Sequence, residues 1–68
     1  MIAFILARTG DRVYTTDALD RENEIAKSLI AYSMARSLAV EHHASIIIRW
    51  DIDDDEPDTL VTLEESQS

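Results

Sequence analysis

The chain has 68 residues, with 14 acids against six bases for a net charge of −8; it contains one glycine, one proline and no cysteine. This describes one small domain, residues 1–68, with no covalent staple. Such acidity excludes direct binding of DNA, RNA or an anionic membrane, all of which need lysine and arginine at the contact. No apolar run approaches the ~20 residues of a membrane span, and the first residues lack the basic flank and cleavage pattern of a signal peptide, so a soluble cytoplasmic protein is expected.

Residues 2–8 form a short apolar run stopped by Thr9, Gly10 and Asp11. That length predicts a strand with Ile2, Phe4 and Leu6 on one face. Gly10-Asp11 supplies the positive-φ position of a hairpin turn. Residues 12–16, rich in β-branched and aromatic side chains, then form the returning strand. Thr16 or Asp17 caps the helix that follows, and Asp17, Asp20, Glu22 and Glu24 crowd its positive end. With neither glycine nor proline from Ala18 to His42, the helix is predicted over 18–42, and His42 and His43 suit its negative pole.

Ile46, Ile48, Trp50 and Ile52 alternate with Ile47, Arg49 and Asp51, which predicts a strand over 45–52. Residues 53–58 form an acidic hairpin loop broken by Pro57, residues 59–63 are β-prone again, and 64–68 make a frayed polar tail. The order is therefore ββαββ. It gives an α+β fold with a four-stranded antiparallel sheet in the order 2-1-3-4 and one long helix packed on one face.

The helix carries more apolar surface than one sheet needs. At about 100° per residue, Leu29, Tyr32 and Val40 lie near Ile25, while Ile30, Met34 and Leu38 lie opposite. Ala31, Ala35, Ala39 and Ser28 form a small-residue seam between the two groups. A helix apolar nearly all round is normally covered on two sides. A rod of about 24 residues, roughly 36 Å long, also overhangs a domain of roughly 28 Å. The expected consequence is a homodimer, or a dedicated protein partner, meeting a helix face of Ile30, Met34, Leu38, Ala31 and Ala35. Size argues the same way: hydrophobic burial and chain ordering each come to about 100 kcal/mol and cancel, so a lone monomer is marginal.

The charge is unevenly placed. Residues 1–50 hold six bases and six acids, whereas 51–68 hold eight acids and no base. Asp51, Asp53, Asp54, Asp55, Glu56 and Asp58 form a candidate surface for a basic protein partner. In extended backbone Asp51, Asp53 and Asp55 lie on one side about 6.6 Å apart, a row able to imitate phosphates. A calcium loop is a poor fit, since Glu56 stands where such a loop needs glycine and Thr62 where it needs glutamate. His42-His43 has no cysteine beside it and adjacent helical side chains diverge, so no zinc site is expected. Serines on a helix lack a nucleophile turn and an oxyanion nest, and one glycine leaves no phosphate-cradling loop, so neither an enzyme nor a bound cofactor is expected.

In size, acidity and ββαββ order the chain resembles small phage-encoded inhibitors of host enzymes, anti-CRISPR and anti-restriction proteins among them, although no motif assigns it to one family. The resemblance implies an inhibitor or modulator that engages a basic, nucleic-acid-binding protein. Two alternatives stand beside it. One is an antitoxin or accessory subunit that docks through the helix. The other is an oligomer binding a small anion or nucleotide between subunits through Arg8, Arg12, Arg36 or Arg49.

Overall fold

The computed structural model describes residues 1–51 and 57–67. Strands β1 (Ile2–Leu6) and β2 (Arg12–Thr16) form the N-terminal hairpin. Its turn is closed by Leu6 N–H donating to Asp11 O at 2.8 Å and Gly10 N–H to Leu6 O at 2.8 Å. Gly10 sits at φ +80°, with open space where a Cβ would stand, so its requirement is conformational alone. Phe4 pairs with Tyr14 and Ile5 with Arg12, which leaves Val13 as an extra residue and makes a bulge in β2.

Strand β3 (Ile46–Arg49) pairs antiparallel with β1 on its other side, and β4 (Thr59–Val61) pairs antiparallel with β3. The sheet order is β2-β1-β3-β4, as the strand pattern predicts. Since β1 opposes both neighbours, β2 and β3 run parallel and are joined across one face by the helix α1 (Glu24–His42). The core lies between that face and the helix. Ile2, Phe4 and Leu6 of β1, Ile46 and Ile48 of β3, and Val61 of β4 meet Leu19, Ala31, Ala35, Ala39 and Ala44 there.

Three elements depart from the sequence expectation. The helix begins at Glu24 rather than near Ala18, because Asn23 is its cap: the Asn23 side-chain oxygen accepts the Ala26 N–H at 2.9 Å. Residues 17–22 instead make tight turns, with Asp20 N–H donating to Asp17 O and Glu22 N–H to Leu19 O, and they place Leu19 in the core. Nineteen residues span roughly 28 Å, within the molecule's 30 Å long dimension, so the rod does not overhang.

Strand β3 stops at Arg49. Trp50 bends away, and its indole N–H donates to Thr59 Oγ1 at 2.8 Å. Beyond β4 the chain turns into a short helix, α2 (Leu63–Gln67), where a frayed tail is expected. Thr62 and Glu65 hold the first and last places of a Thr-x-x-Glu capping sequence. Thr62 Oγ1 accepts the Glu65 N–H at 3.2 Å, and the Leu63 N–H donates to Ser45 Oγ at 3.2 Å. The turn lies against α1.

The C-terminus of α1 closes in a Schellman motif. His43 adopts the left-handed conformation (φ 51°, ψ 44°), its N–H points to Val40 O, and the Ala44 N–H donates to Ala39 O at 3.1 Å. Among the described residues no helix is long and apolar enough to cross a membrane.

Candidate interaction surface

Helix α1 meets the sheet through its smallest residues. Ala31, Ala35 and Ala39 are the buried residues of the helix, one turn apart along one line, and each is fully covered. Methyl groups there let the helix backbone approach the isoleucines and Phe4 of the sheet closely; the larger apolar side chains are consequently turned away. This corrects the predicted helix face in part. Ala31 and Ala35 belong to the intramolecular contact, so neither is available to another molecule.

The remaining members of that predicted face stay at the surface to different degrees. Met34 and Leu38 are half-buried and pack against the rim of the core. With Tyr14, Ser33 and Ser37 they line a shallow groove between α1 and β2. Tyr14 also packs on Phe4, ring centroids 6.1 Å apart. Ile30 is exposed.

The most exposed apolar side chains lie on the other group. Ile25 is 75% accessible and Leu29 68%, with Val40 at 43% and Tyr32 at 37%. These positions, 25, 29, 32 and 40, run down the outward side of α1 within an arc of about 80°. Tyr32 stands at the margin of that arc, its ring 6.3 Å from Trp50. Small residues are interleaved with the large ones. Ser28, Leu29, Tyr32, Ser33, Arg36 and Ser37 line one open groove along the middle of the helix, and Asn23, Glu24, Ile25, Ala26 and Leu29 line a second at its N-terminal end. Sequence periodicity places both apolar groups on the helix; it does not say which the sheet covers, because the sheet covers neither fully.

The two described acidic candidates, Asp51 and Asp58, fall after β3 and before β4. Asp58 is exposed and held by Arg49, whose guanidinium donates to its two carboxylate oxygens at 3.3 and 3.5 Å. Asp51 is half-buried just after Trp50 and outside the strand. Asp53, Asp54, Asp55 and Glu56 lie outside the described residues, as does Ile52.

The four arginines considered for an anion do not gather. Arg8 follows the Leu6 end of β1, Arg12 opens β2, Arg36 lies on the outward arc of α1, and Arg49 stands opposite Ala3 at the other end of β1, paired with Asp58. His43 has a defined role as the left-handed helix cap. Among the described residues no group of three or more histidine, aspartate or glutamate side chains is arranged to hold a metal ion. The Met1 ammonium donates to Asp20 Oδ1 at 2.9 Å, and that hydrogen bond raises its pKa above 8.0.

The chain matches no protein-family model, and comparison with curated proteins and with solved structures finds no match.

Proposed function

We propose that this chain is a small acidic protein-binding module, an inhibitor or modulator that engages a basic, nucleic-acid-binding protein surface and assembles through the outer face of α1. One observation carries the reading: α1 packs on its own sheet through three alanines and holds Ile25 and Leu29, each more than two-thirds accessible, toward the outside. Burying an aliphatic side chain of that size is worth about 1.5–3 kcal/mol, so an arrangement that leaves both in water favours a function in association. The charge selects the partner's character, since the entire excess of −8 comes from residues after Trp50. The reading assigns no catalytic residue and no cofactor, and it sets the module in the cytoplasm.

The test is capture from the native host at low and high salt, with identification of what is retained. The expected result is retention of a basic nucleic-acid-binding protein that weakens steeply with salt. The triple change Asp53→Asn, Asp54→Asn, Asp55→Asn abolishes it. A second reading, an antitoxin or accessory subunit docked on α1, rests on the same exposed face. It is the outcome if capture ignores salt and the triple change but is lost in Leu29→Glu.

A further inference from the structure

The two edge strands of the sheet differ in what they offer another chain. In antiparallel pairing each residue turns both its N–H and its C=O to one neighbouring strand, and successive residues alternate. The Ala7 N–H donates to Ser45 O at 3.0 Å, in register with the β1–β3 pairs Ile5–Ile47 and Ala3–Arg49. Residues 45, 47 and 49 therefore turn their backbone to β1, and Ile46 and Ile48 turn theirs to β4. Their partners Val61 and Thr59 are used in that ladder, which leaves Leu60 with its N–H and C=O directed away from β3, at the outer edge of the sheet. The Leu60 side chain is exposed too, next to Ile47 on the face turned away from α1. Strand β4 keeps one register with β3 throughout, whereas β2 bulges at Val13 and opens on Arg12.

Charge decides what that edge accepts. Asp58 directly precedes β4, Glu64 and Glu65 follow it in α2 and are exposed, and no lysine or arginine comes after Arg49, which offsets Asp58. A second copy brings the same carboxylates to the same edge, so like-charge repulsion opposes pairing β4 with β4. We infer that β4 takes up an extended, basic segment of the partner protein as a fifth strand of the sheet. The inference rests on the reading of the partner as a basic protein and names how it is held. Backbone bonds to Leu60 set the pairing, a β-branched side chain packs beside Leu60, and lysine or arginine on either flank meets the acidic end of the chain. The backbone bonds of one residue hold no strand alone, so pairing and charge act together and a neutral segment does not add.

The test titrates the full chain with an acetylated and amidated peptide, Arg-Lys-Thr-Ile-Thr-Lys-Arg, whose symmetric order pairs in either direction. A control peptide carries glutamine in place of every lysine and arginine. Binding is followed by the emission of Trp50, whose indole is bonded to Thr59 of β4, and by amide hydrogen exchange read by nuclear magnetic resonance. The basic peptide should slow exchange at the Leu60 amide roughly tenfold when present at about ten times its Kd. Thr59 and Val61, already bonded to β3, should change less. Binding should weaken steeply with salt, and the control should not bind. Leu60→Pro removes the outward N–H without taking a bond from β3 and should abolish binding, whereas Leu60→Thr, which keeps that N–H, should retain it. If Leu60→Pro disturbs the sheet, exchange at Leu60 in the parent chain decides.

Exchange at Leu60 unchanged by saturating peptide overturns the inference, as does equal binding of the glutamine control. Protection of Leu60 that rises with chain concentration in the absence of peptide marks a second copy at the edge and overturns it as well. Where the edge fails but the native host still yields a basic protein by salt-sensitive capture, strand addition falls and the proposed function stands. Protection of Leu60 by the peptide with no basic protein captured does the reverse.

Discussion

Replacing Ala35 by leucine tests the packing on which the interaction surface depends. Ala35 is the middle member of the covered seam, with no accessible surface and the sheet directly beneath it. Leucine adds three carbon atoms where the helix backbone already lies close to β3. Its accommodation requires the helix to lift or Ile46 and Ile48 to leave their rotamers. Overpacking of a filled core costs 1–3 kcal/mol for added methylenes, and a site with no slack belongs at the upper end, about 3 kcal/mol. For a domain of this size that corresponds to a fall in Tm of roughly 12–24 °C. It is also a large share of a total stability of roughly 3–10 kcal/mol. Glu41→Leu, at an exposed position of α1 away from the apolar outer arc, is the control and should stay within about 0.5 kcal/mol of the parent. Thermal and urea unfolding followed by circular dichroism reads both. If Ala35→Leu melts within about 2 °C of the parent, or Glu41→Leu costs as much as it does, the seam does not face the sheet and the assignment of inner and outer helix faces is wrong.

Four further outcomes are expected. Asn23→Ala removes the acceptor for the Ala26 N–H and should cost about 1 kcal/mol in urea unfolding, whereas Asp17→Ala should cost less, since Asp17 does not cap α1. His43→Gly relieves a side chain held at φ 51° and should stabilise by roughly 0.5–1 kcal/mol; a loss of stability refutes the helix-end geometry. Thr59→Val leaves the partly buried Trp50 indole N–H without its acceptor and should cost about 1–2 kcal/mol, with a shift in the emission of the sole tryptophan. The Met1 ammonium has its pKa raised by Asp20, so its contribution to stability is complete below pH 8.0 and is lost as pH rises through the raised value. Unfolding at neutral and at strongly alkaline pH should show that loss in the parent, and Asp20→Asn should lack it.

The sheet was legible because alternation is a local property. Ile2, Phe4 and Leu6, then Ile46 and Ile48, identify their faces without knowledge of the rest of the chain, and Gly10 marks the turn between the first two strands. Helix existence was legible for a similar reason, since residues 24–42 contain no breaker. Its start was not. Thr16, Asp17 and Asn23 are all competent caps, and the choice falls on Asn23 because Leu19 is needed in the core, a tertiary demand with no sequence mark. The inner face was hidden for a different reason. Hydropathy ranks isoleucine and leucine above alanine, but close approach of a helix to a sheet is a matter of size, and Ala31, Ala35 and Ala39 win the contact on volume. The second helix did have a signal, the Thr62-x-x-Glu65 cap sequence, which a polar composition obscured.

The bulge opposite Ile5 bears on what this chain does when crowded. Outer strands with free amides invite further strands, and a flat one is a template for open-ended polymerisation into fibrils. In β2 the extra Val13 interrupts the hydrogen-bond repeat, twists the strand locally and sets Arg12 at its start. Growth of the sheet beyond β2 is thereby discouraged at the backbone level. At that edge, contacts between molecules are left to side chains, which can be selective about what they meet.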